Sequence, residues 1–330
     1  MQPLVSIDEI RTAAAALAGV SVRTPLVPFP RAEPPLLVKP ESLQPVGAFK
    51  LRGAYAAMST LPAAARQIGV VTHSSGNHGQ AVAYSAALLG MPAVVVVPDN
   101  APAVKVAAIR ELGAEIVVSA PGLAARLAAT REIATQRGAV SIPPFDDRRV
   151  IAGQGTVGLE IAADCPGVDL VVVPVGGGGL IAGVATAVRS LCPDAIVIGV
   201  EPELAADARD SLHQGQQVAW PPEFTQQTIA DSLRVDQVGA LPLQHMLEYV
   251  EDIVTVTEDE IRAAVRRLAL DARLIAEPGG AAAVAACLFR RKELPSAGTT
   301  VAVLSGGNID PGMLLDILAD DPSAGPDSGE

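Results

Sequence analysis

Lys50 stands in the stretch PVGAFKLRGAY, residues 45–55, between Phe49 and Leu51 and with a single basic neighbour, Arg52. Burial in such company favours the neutral amine, the form that condenses with an aldehyde to give a Schiff base. Lysine can equally bury its methylenes and carry its ammonium out to water. The stretch alone leaves both readings open.

A second chemical feature is DLVVVPVGGGGLIAGVATAVRS, a strand pattern, then Gly176, Gly177, Gly178 and Gly179, then a helix pattern. Consecutive glycines let the backbone approach an anion, and the free N–H groups of a helix start point at it, so a phosphate is the natural guest. Two alternatives remain. Gly177, Gly179 and Ala182 nearly fit G-x-G-x-x-A, with Glu201 ending the next strand where a ribose-binding acid would sit in an NAD(P)-dependent oxidoreductase. The loop could also be a tight turn without ligand. The third feature, THSSGNHGQA, sets Ser74, Ser75, Gly76, Asn77 and His78 at another strand-to-helix turn suited to a carboxylate. Read blandly, Ser75 or Asn77 is an N-cap and His78 a surface residue.

The elements that must carry these residues are legible as Val- and Ile-rich strand patterns at 70–72, 93–98, 115–119, 170–175, 196–201 and 300–304. Alanine-rich helical patterns lie at 80–89, 102–112, 123–136, 180–191 and 258–270, the last after a Thr257 cap. The β-α alternation and the lack of apolar/polar alternation within strands predict an α/β fold with mainly parallel sheets covered on both faces. The run 70–143 forms a compact unit between STLPAAARQ and PPFDDRR. This predicts a small α/β domain, 63–145, inserted in a large one, 1–62 and 146–330, with a disordered tail at 319–330.

The chain has 330 residues, 49% of them hydrophobic and 18% charged, enough for a large core. A net charge of -12 disfavours nucleic acid and anionic membranes as partners and points to a small ligand. Asp8, Glu9 and Arg11 precede the first apolar stretch, the wrong order for a secretory signal. Pro174 and the four glycines interrupt the longest uncharged run, 170–188, so no membrane span is expected. Cys165, Cys192 and Cys287 lack metal-ligand spacing and read as buried thiols in a reducing cytoplasm.

In order along the chain, KPESLQPVGAFKLRGA, THSSGNHGQA, IAGQGT, PVGGGGLIAG, TIADSL, VTEDEI and LSGGN resemble the motifs of the fold type II pyridoxal-phosphate enzymes. The likeness is greatest to the branch of serine racemase, threonine dehydratase and 3-hydroxyaspartate dehydratase. It implies two lobes, each a mainly parallel open twisted sheet flanked by helices, as in the tryptophan synthase β-like fold. By the same resemblance Lys50 bonds covalently to pyridoxal 5'-phosphate, Phe49 lies beside its ring, and Gly176, Gly177, Gly178 and Gly179 hold its phosphate. Asn77 would bond the phenolic oxygen and Ser305 would face the pyridine nitrogen.

Ser74, Ser75, Asn77 and His78 would receive the substrate carboxylate, and Ser75 would return a proton on the face opposite the lysine in a racemase. Arg126 aligns with an arginine that reaches a substrate carboxylate in some members, which would suit 3-hydroxyaspartate; it also reads as one of several solvent-facing arginines. Glu277, in EPGGA, matches a motif near the ring without an assigned role. In GVEPELAADARD, Glu201, Asp207 and the carbonyl of Ala205 match the family's ligands for Mg2+, Ca2+ or Mn2+, against the plainer reading of a solvated acidic loop.

The resemblance thus implies an ammonia-lyase acting on serine, threonine or a related 3-hydroxy amino acid. Its alternatives are a serine racemase, a 3-hydroxyaspartate ammonia-lyase and, in another class, the oxidoreductase above; a non-catalytic amino-acid-binding protein would not require Lys50. Related enzymes suggest a homodimer. No regulatory domain fits after Leu318, so feedback by isoleucine is not expected.

Overall fold

The computed structural model describes residues 3–30, 32–101 and 103–320. Ten strands are present among them: β1 Val27–Pro28, β2 Leu36–Pro40, β3 Val70–His73, β4 Ala93–Pro98, β5 Glu115–Ser119, β6 Val140–Ser141, β7 Leu170–Pro174, β8 Ile196–Pro202, β9 Asp252–Val256 and β10 Thr300–Leu304. They form a six-stranded sheet in the order β1-β2-β10-β7-β8-β9 and a four-stranded sheet in the order β5-β4-β3-β6. Every pair is parallel except β1 with β2.

The strand sequences explain this arrangement. β7 and β10 are buried at every position, as expected for parallel strands sandwiched between helices. Period-two geometry then divides their side chains between two cores. Leu170, Val172, Ala302 and Leu304 face the helices Glu258–Arg267 and Pro278–Phe289, whereas Val171, Val173, Val301 and Val303 face Arg148–Asp164 and Gly179–Leu191. A third core fills the smaller sheet with Val70, Val95, Val97 and Ile109. It also takes Leu51, Ala54, Ala57 and Met58 from the helix Lys50–Ser59.

All six expected strands are present, and the expected helices differ in their ends. The helix expected at 80–89 starts at Asn77, so the polar turn lies directly on its first residue. That at 258–270 stops being α-helical at Arg267; a π-turn, Leu268–Ala272, leads to Arg273 in the left-handed region, φ 62°. Residue 102 of the helix expected at 102–112, and the tail from 321 onward, lie outside the described residues. Residue 319 of the expected tail closes the helix Pro311–Ala319.

The candidate site residues collect where the parallel strands end. The glycine loop follows β7, Ser305 follows β10, Glu201 lies near the end of β8 and Ser74 follows β3. This is the carboxyl edge, where open α/β sheets place their ligands.

Candidate active site

Lys50 is the first residue of the helix Lys50–Ser59, and its Nζ donates to the carbonyl of Pro144 at 2.7 Å. It also lies 5.0 Å from the centroid of the Phe49 ring. Burial pulls this ammonium down to about 8, with Glu277 opposing the shift. Lys50 is half-buried, and a lowered pKa is what a nucleophile that must shed its proton near neutrality requires.

Phe145, next to Pro144, joins the lysine to the glycine loop. A Cβ on Gly177 would fall 2.1 Å from the Phe145 ring, and one on Gly178, at φ +83°, would fall 2.8 Å from Pro242. Protein neighbours alone thus require glycine at both positions. No protein acceptor takes the N–H groups of Gly176, Gly177 or Gly178 among the described residues, and the helix Gly179–Leu191 begins with no side-chain cap. Those amides and the helix dipole form a receptor for an anion such as phosphate.

At the end of β3 no side chain caps the helix Asn77–Leu89, which disposes of the N-cap reading of Ser75 and Asn77. Ser74 Oγ accepts from the Gly76 N–H at 3.2 Å, and Ser74, Ser75 and Asn77 are half-buried. His78 is not a surface residue. Its ring is buried, Nε2 donates to the Ile142 carbonyl at 3.0 Å, and Nδ1 is left without a partner. Burial holds this ring neutral, with a pKa of about 3, so the free Nδ1 is an acceptor and cannot donate to a carboxylate. Only the backbone amide of His78 suits the carboxylate expected at this turn.

Asn77 donates through Nδ2 to Glu277 Oε1 at 2.7 Å, while its Oδ1 accepts from Asn308 Nδ2 at 2.8 Å. Burial raises Glu277 to about 7, with Asp231 adding to the rise and Ser232 and Asn77 opposing it. The segment that bears Lys50 is laced to this group, since the Phe49 N–H donates to the Ser305 carbonyl at 3.0 Å and Glu277 N–H to the Gly306 carbonyl at 3.0 Å. Ser305 is buried. Lys50, Asn77, Ser305 and the glycine loop therefore meet in one place. Glu277 gains a partner that its motif did not disclose, and Phe145 and Asn308 join the site. Phe145 lies in PPFDDRR, which reads as a boundary; Asn308 ends the LSGGN motif, whose serine draws the attention.

Arg126 is half-buried, and the one hydrogen bond of its guanidinium among the described residues is from Nε to the Gly122 carbonyl at 3.4 Å. Burial lowers its pKa and Asp236 opposes this, while Arg126 in turn helps burial hold His73 at about 4. The half-buried guanidinium is therefore near enough for its charge to act on His73, the residue before the SSGN turn.

Glu201, Ala205 and Asp207 are all buried, so the solvated-loop reading does not hold. The Glu201 carboxylate accepts from the N–H groups of Ala208 and Arg209 at 3.1 and 2.8 Å. Both Asp207 oxygens are buried with no partner at hydrogen-bond distance. Burial and the neighbouring Asp207 charge push Glu201 well above the ordinary carboxylate range. A hard divalent cation would resolve this unmet charge. Among the described residues no cluster of three or more His, Cys, Asp or Glu side chains is placed to hold a metal, so this pair would need carbonyls and water to complete its shell.

Comparison with known proteins agrees with this geometry. Residues 18–306 match the family described as pyridoxal-phosphate dependent enzyme. The catabolic L-threonine dehydratase of Escherichia coli K12 is 41% identical over 311 residues, 93% of this chain and 94% of that protein. The L-threo-3-hydroxyaspartate ammonia-lyase of Saccharomyces cerevisiae is 40% identical over 272 residues, 82% of each. Among solved structures, maize serine racemase superposes with a TM-score of 0.91 at 35% identity, covering 95% of this chain and 97% of that one.

Proposed function

This chain belongs to the family of pyridoxal-phosphate-dependent enzymes, and on that premise we propose that it is an ammonia-lyase converting L-threonine, L-serine or a related 3-hydroxy amino acid to a 2-oxo acid and ammonia. The observation that carries the reading is one half-buried amine, Lys50, joined through Pro144 and Phe145 to a loop of amides unpaired among the described residues. A phosphate-bearing aldehyde needs those two groups together. Relatives named for threonine and hydroxyaspartate chemistry support the substrate class.

When bound, the cofactor supplies a carbonyl that links to the substrate amine and takes up electron density from its Cα. The residues do the rest. Gly176, Gly177, Gly178 and Gly179 would hold the phosphate through their N–H groups, Phe49 would pack beside the ring, Ser305 would face the ring nitrogen, and Asn77 would donate to the phenolic oxygen. Ser74, Ser75, Asn77 and the amide of His78 seat the substrate carboxylate. Lys50, as a neutral amine, would remove the Cα proton of the substrate. The β-hydroxyl then leaves with a proton as water, and the released enamine hydrolyses to the 2-oxo acid and ammonia.

The test is spectroscopic and chemical. Reconstituted protein should show a visible band that borohydride removes, and Lys50→Ala should lose it; a colourless reconstituted wild type sinks the proposal. Release of 2-oxo acid from L-threonine, L-serine and the hydroxyaspartate diastereomers identifies the substrate, and Arg126 favours those with a second carboxylate. Racemisation is a second reading, supported by Ser75, whose hydroxyl makes no hydrogen bond among the described residues, and by the likeness to maize serine racemase. Under that reading Ser75→Ala loses formation of the opposite enantiomer and keeps elimination.

Glu201, Asp207 and the Ala205 carbonyl would hold Mg2+ or a similar cation, which would neutralise the buried carboxylate pair and stiffen the end of β8. Chelation should lower the unfolding temperature and Asp207→Ala should abolish that response; no effect of chelator on the wild type counts against the metal. We place the enzyme in the cytoplasm, in keeping with its free thiols, and as a homodimer. Exposed Leu43, next to Ser42, and exposed Ile275 flank Gly307 through Ser42 and the Ile275 carbonyl and offer apolar surface for a second copy. No helix among the described residues is long and apolar enough to cross a membrane.

A further inference from the structure

An asparagine amide has nearly the same shape with its oxygen and nitrogen exchanged, so something must choose which faces a ligand. At Asn77 the choice can be traced to a backbone carbonyl. Asn308 Nδ2 donates to the Val46 carbonyl at 2.8 Å and to Asn77 Oδ1 at 2.8 Å. A carbonyl can only accept, so the Asn308 amide has one allowed orientation, and the atom of Asn77 that faces it must be oxygen. The Nδ2 of Asn77 is thereby turned to Glu277 Oε1 at 2.7 Å, with its second proton not taken by any protein group among the described residues.

Glu277 cannot enforce this alone. Burial pushes it up to about 7, so near neutrality its carboxyl can carry a proton and donate as well as accept. The surroundings are shaped for Asn308. Gly47 has φ +71°, and a Cβ there would fall 2.3 Å from Asn308 Oδ1; a Cβ on Gly306 would fall 2.8 Å from Glu277 Oε1. The Gly307 N–H donates to the Gly47 carbonyl at 2.8 Å. Asn308 and Glu277 are thus held by the backbone segments that also carry Lys50, whereas Asn77 comes from the smaller sheet.

We infer that Asn308 is a positioning residue that sets the Asn77 amide so that an N–H, and not a carbonyl oxygen, faces the phenolic edge of the bound cofactor. The inference rests on the cofactor reading of the site. It makes Asn308 act through Asn77, and a double-mutant cycle on cofactor affinity isolates that dependence. In equilibrium titrations of apo-protein with pyridoxal 5'-phosphate, Asn308→Asp, nearly isosteric but unable to donate, should weaken binding about tenfold. In an Asn77→Ala background the same change should alter affinity less than about twofold, because the side chain it orients is gone.

Asn308→Ala carries the same expectation if the aspartate variant does not fold, and thermal unfolding of each apo variant separates a folding defect from a binding one. Equal losses in the two backgrounds, or no loss in either, overturn the inference while leaving the enzyme assignment standing. A wild type that binds no cofactor at all overturns both.

Discussion

Arg52 follows Lys50 by two residues and is 1% exposed, yet its guanidinium is fully engaged. It donates to both Glu41 oxygens at 2.7 and 2.9 Å, to both Glu160 oxygens at 2.7 and 3.0 Å, and to Thr156 and the Val22 carbonyl. Lys39, fully buried, donates to Glu160 and to the Thr24 carbonyl, each at 2.6 Å. Two cations thus balance two carboxylates beneath the helix that carries the reactive amine. Burial raises Glu41, and the Arg52 charge and hydrogen bonds, with the Thr24 hydroxyl and the Lys39 charge, together outweigh it, leaving its carboxyl below the usual range. Removing one partner strands a buried charge, so Arg52→Leu should lower stability by about 3–5 kcal/mol in urea unfolding; a loss under about 1 kcal/mol would show the network to be dispensable. Lys50 itself carries a pH signature. It is protonated below about 8, so the rate at which apo-protein captures cofactor should climb about tenfold per pH unit towards 8 and flatten above it. A profile still climbing at pH 10 would mean an amine in water. Little of this polar floor is legible in the sequence, because Lys39 meets Glu160 across 121 positions and Arg52 meets it across 108.

The helices Arg148–Asp164 and Gly179–Leu191 cross with their backbones close together. A Cβ on Gly183 would fall 2.4 Å from the Gly155 nitrogen, and one on Gly155 would fall 2.6 Å from Ile10. The second of these helices carries the glycine loop at its start, and His245 ties it to the beginning of the chain. The Val5 N–H donates to His245 Nε2 at 3.1 Å, so Nδ1 bears the proton and donates to Thr186 Oγ1 at 2.9 Å; that hydroxyl donates to the Ala182 carbonyl at 2.7 Å. Burial, with Arg148 assisting, holds the imidazole neutral down to about 4. An unfolded histidine takes its proton near 6.5. Between those values the unfolded chain binds the extra proton, so this group's contribution is present above 6.5 and is lost as the pH falls towards 4. The stability difference between wild type and His245→Gln should therefore shrink by about 3 kcal/mol over that interval. A difference independent of pH would mean the ring is already solvated. At this scale the six apolar strands were readable from their composition, since burial on both faces demands it. The helix Arg148–Asp164 was not, because Gly153, Gly155 and Gly158 serve helix contacts that no local pattern announces. β9 and the helix Pro278–Phe289 also escaped, the latter because Pro278 and two glycines open an otherwise alanine-rich run.

Across the whole molecule, the groups that would contact a cofactor come from two sheets with separate cores. The glycine loop and Ser305 follow strands of the six-stranded sheet, while Ser74, Ser75 and Asn77 follow β3 of the four-stranded one. Lys50 starts a helix whose apolar side chains fill the core of the smaller sheet, though its backbone neighbours are pinned to Ser305 and Gly306. Few polar contacts bridge the two bodies besides the Asn77 relay to Glu277 and Asn308 and the Lys105–Asp231 ion pair. The ion pair is partly exposed, and such pairs contribute about 1 kcal/mol or less. A ligand gripped from both sides would add what the protein contacts lack. Binding to the folded state alone stabilises it by about 2.7 kcal/mol when free ligand is a hundredfold above its dissociation constant. The gain should appear on both sides of the cleft. Hydrogen exchange at residues 74–78 and 176–179 should slow together when pyridoxal 5'-phosphate is added, whereas amides around exposed Val118, on the outer strand of the smaller sheet, should keep their rates. Protection confined to the glycine loop would mean that the cofactor is held by the larger sheet alone and that Asn77 lies too far away to touch it.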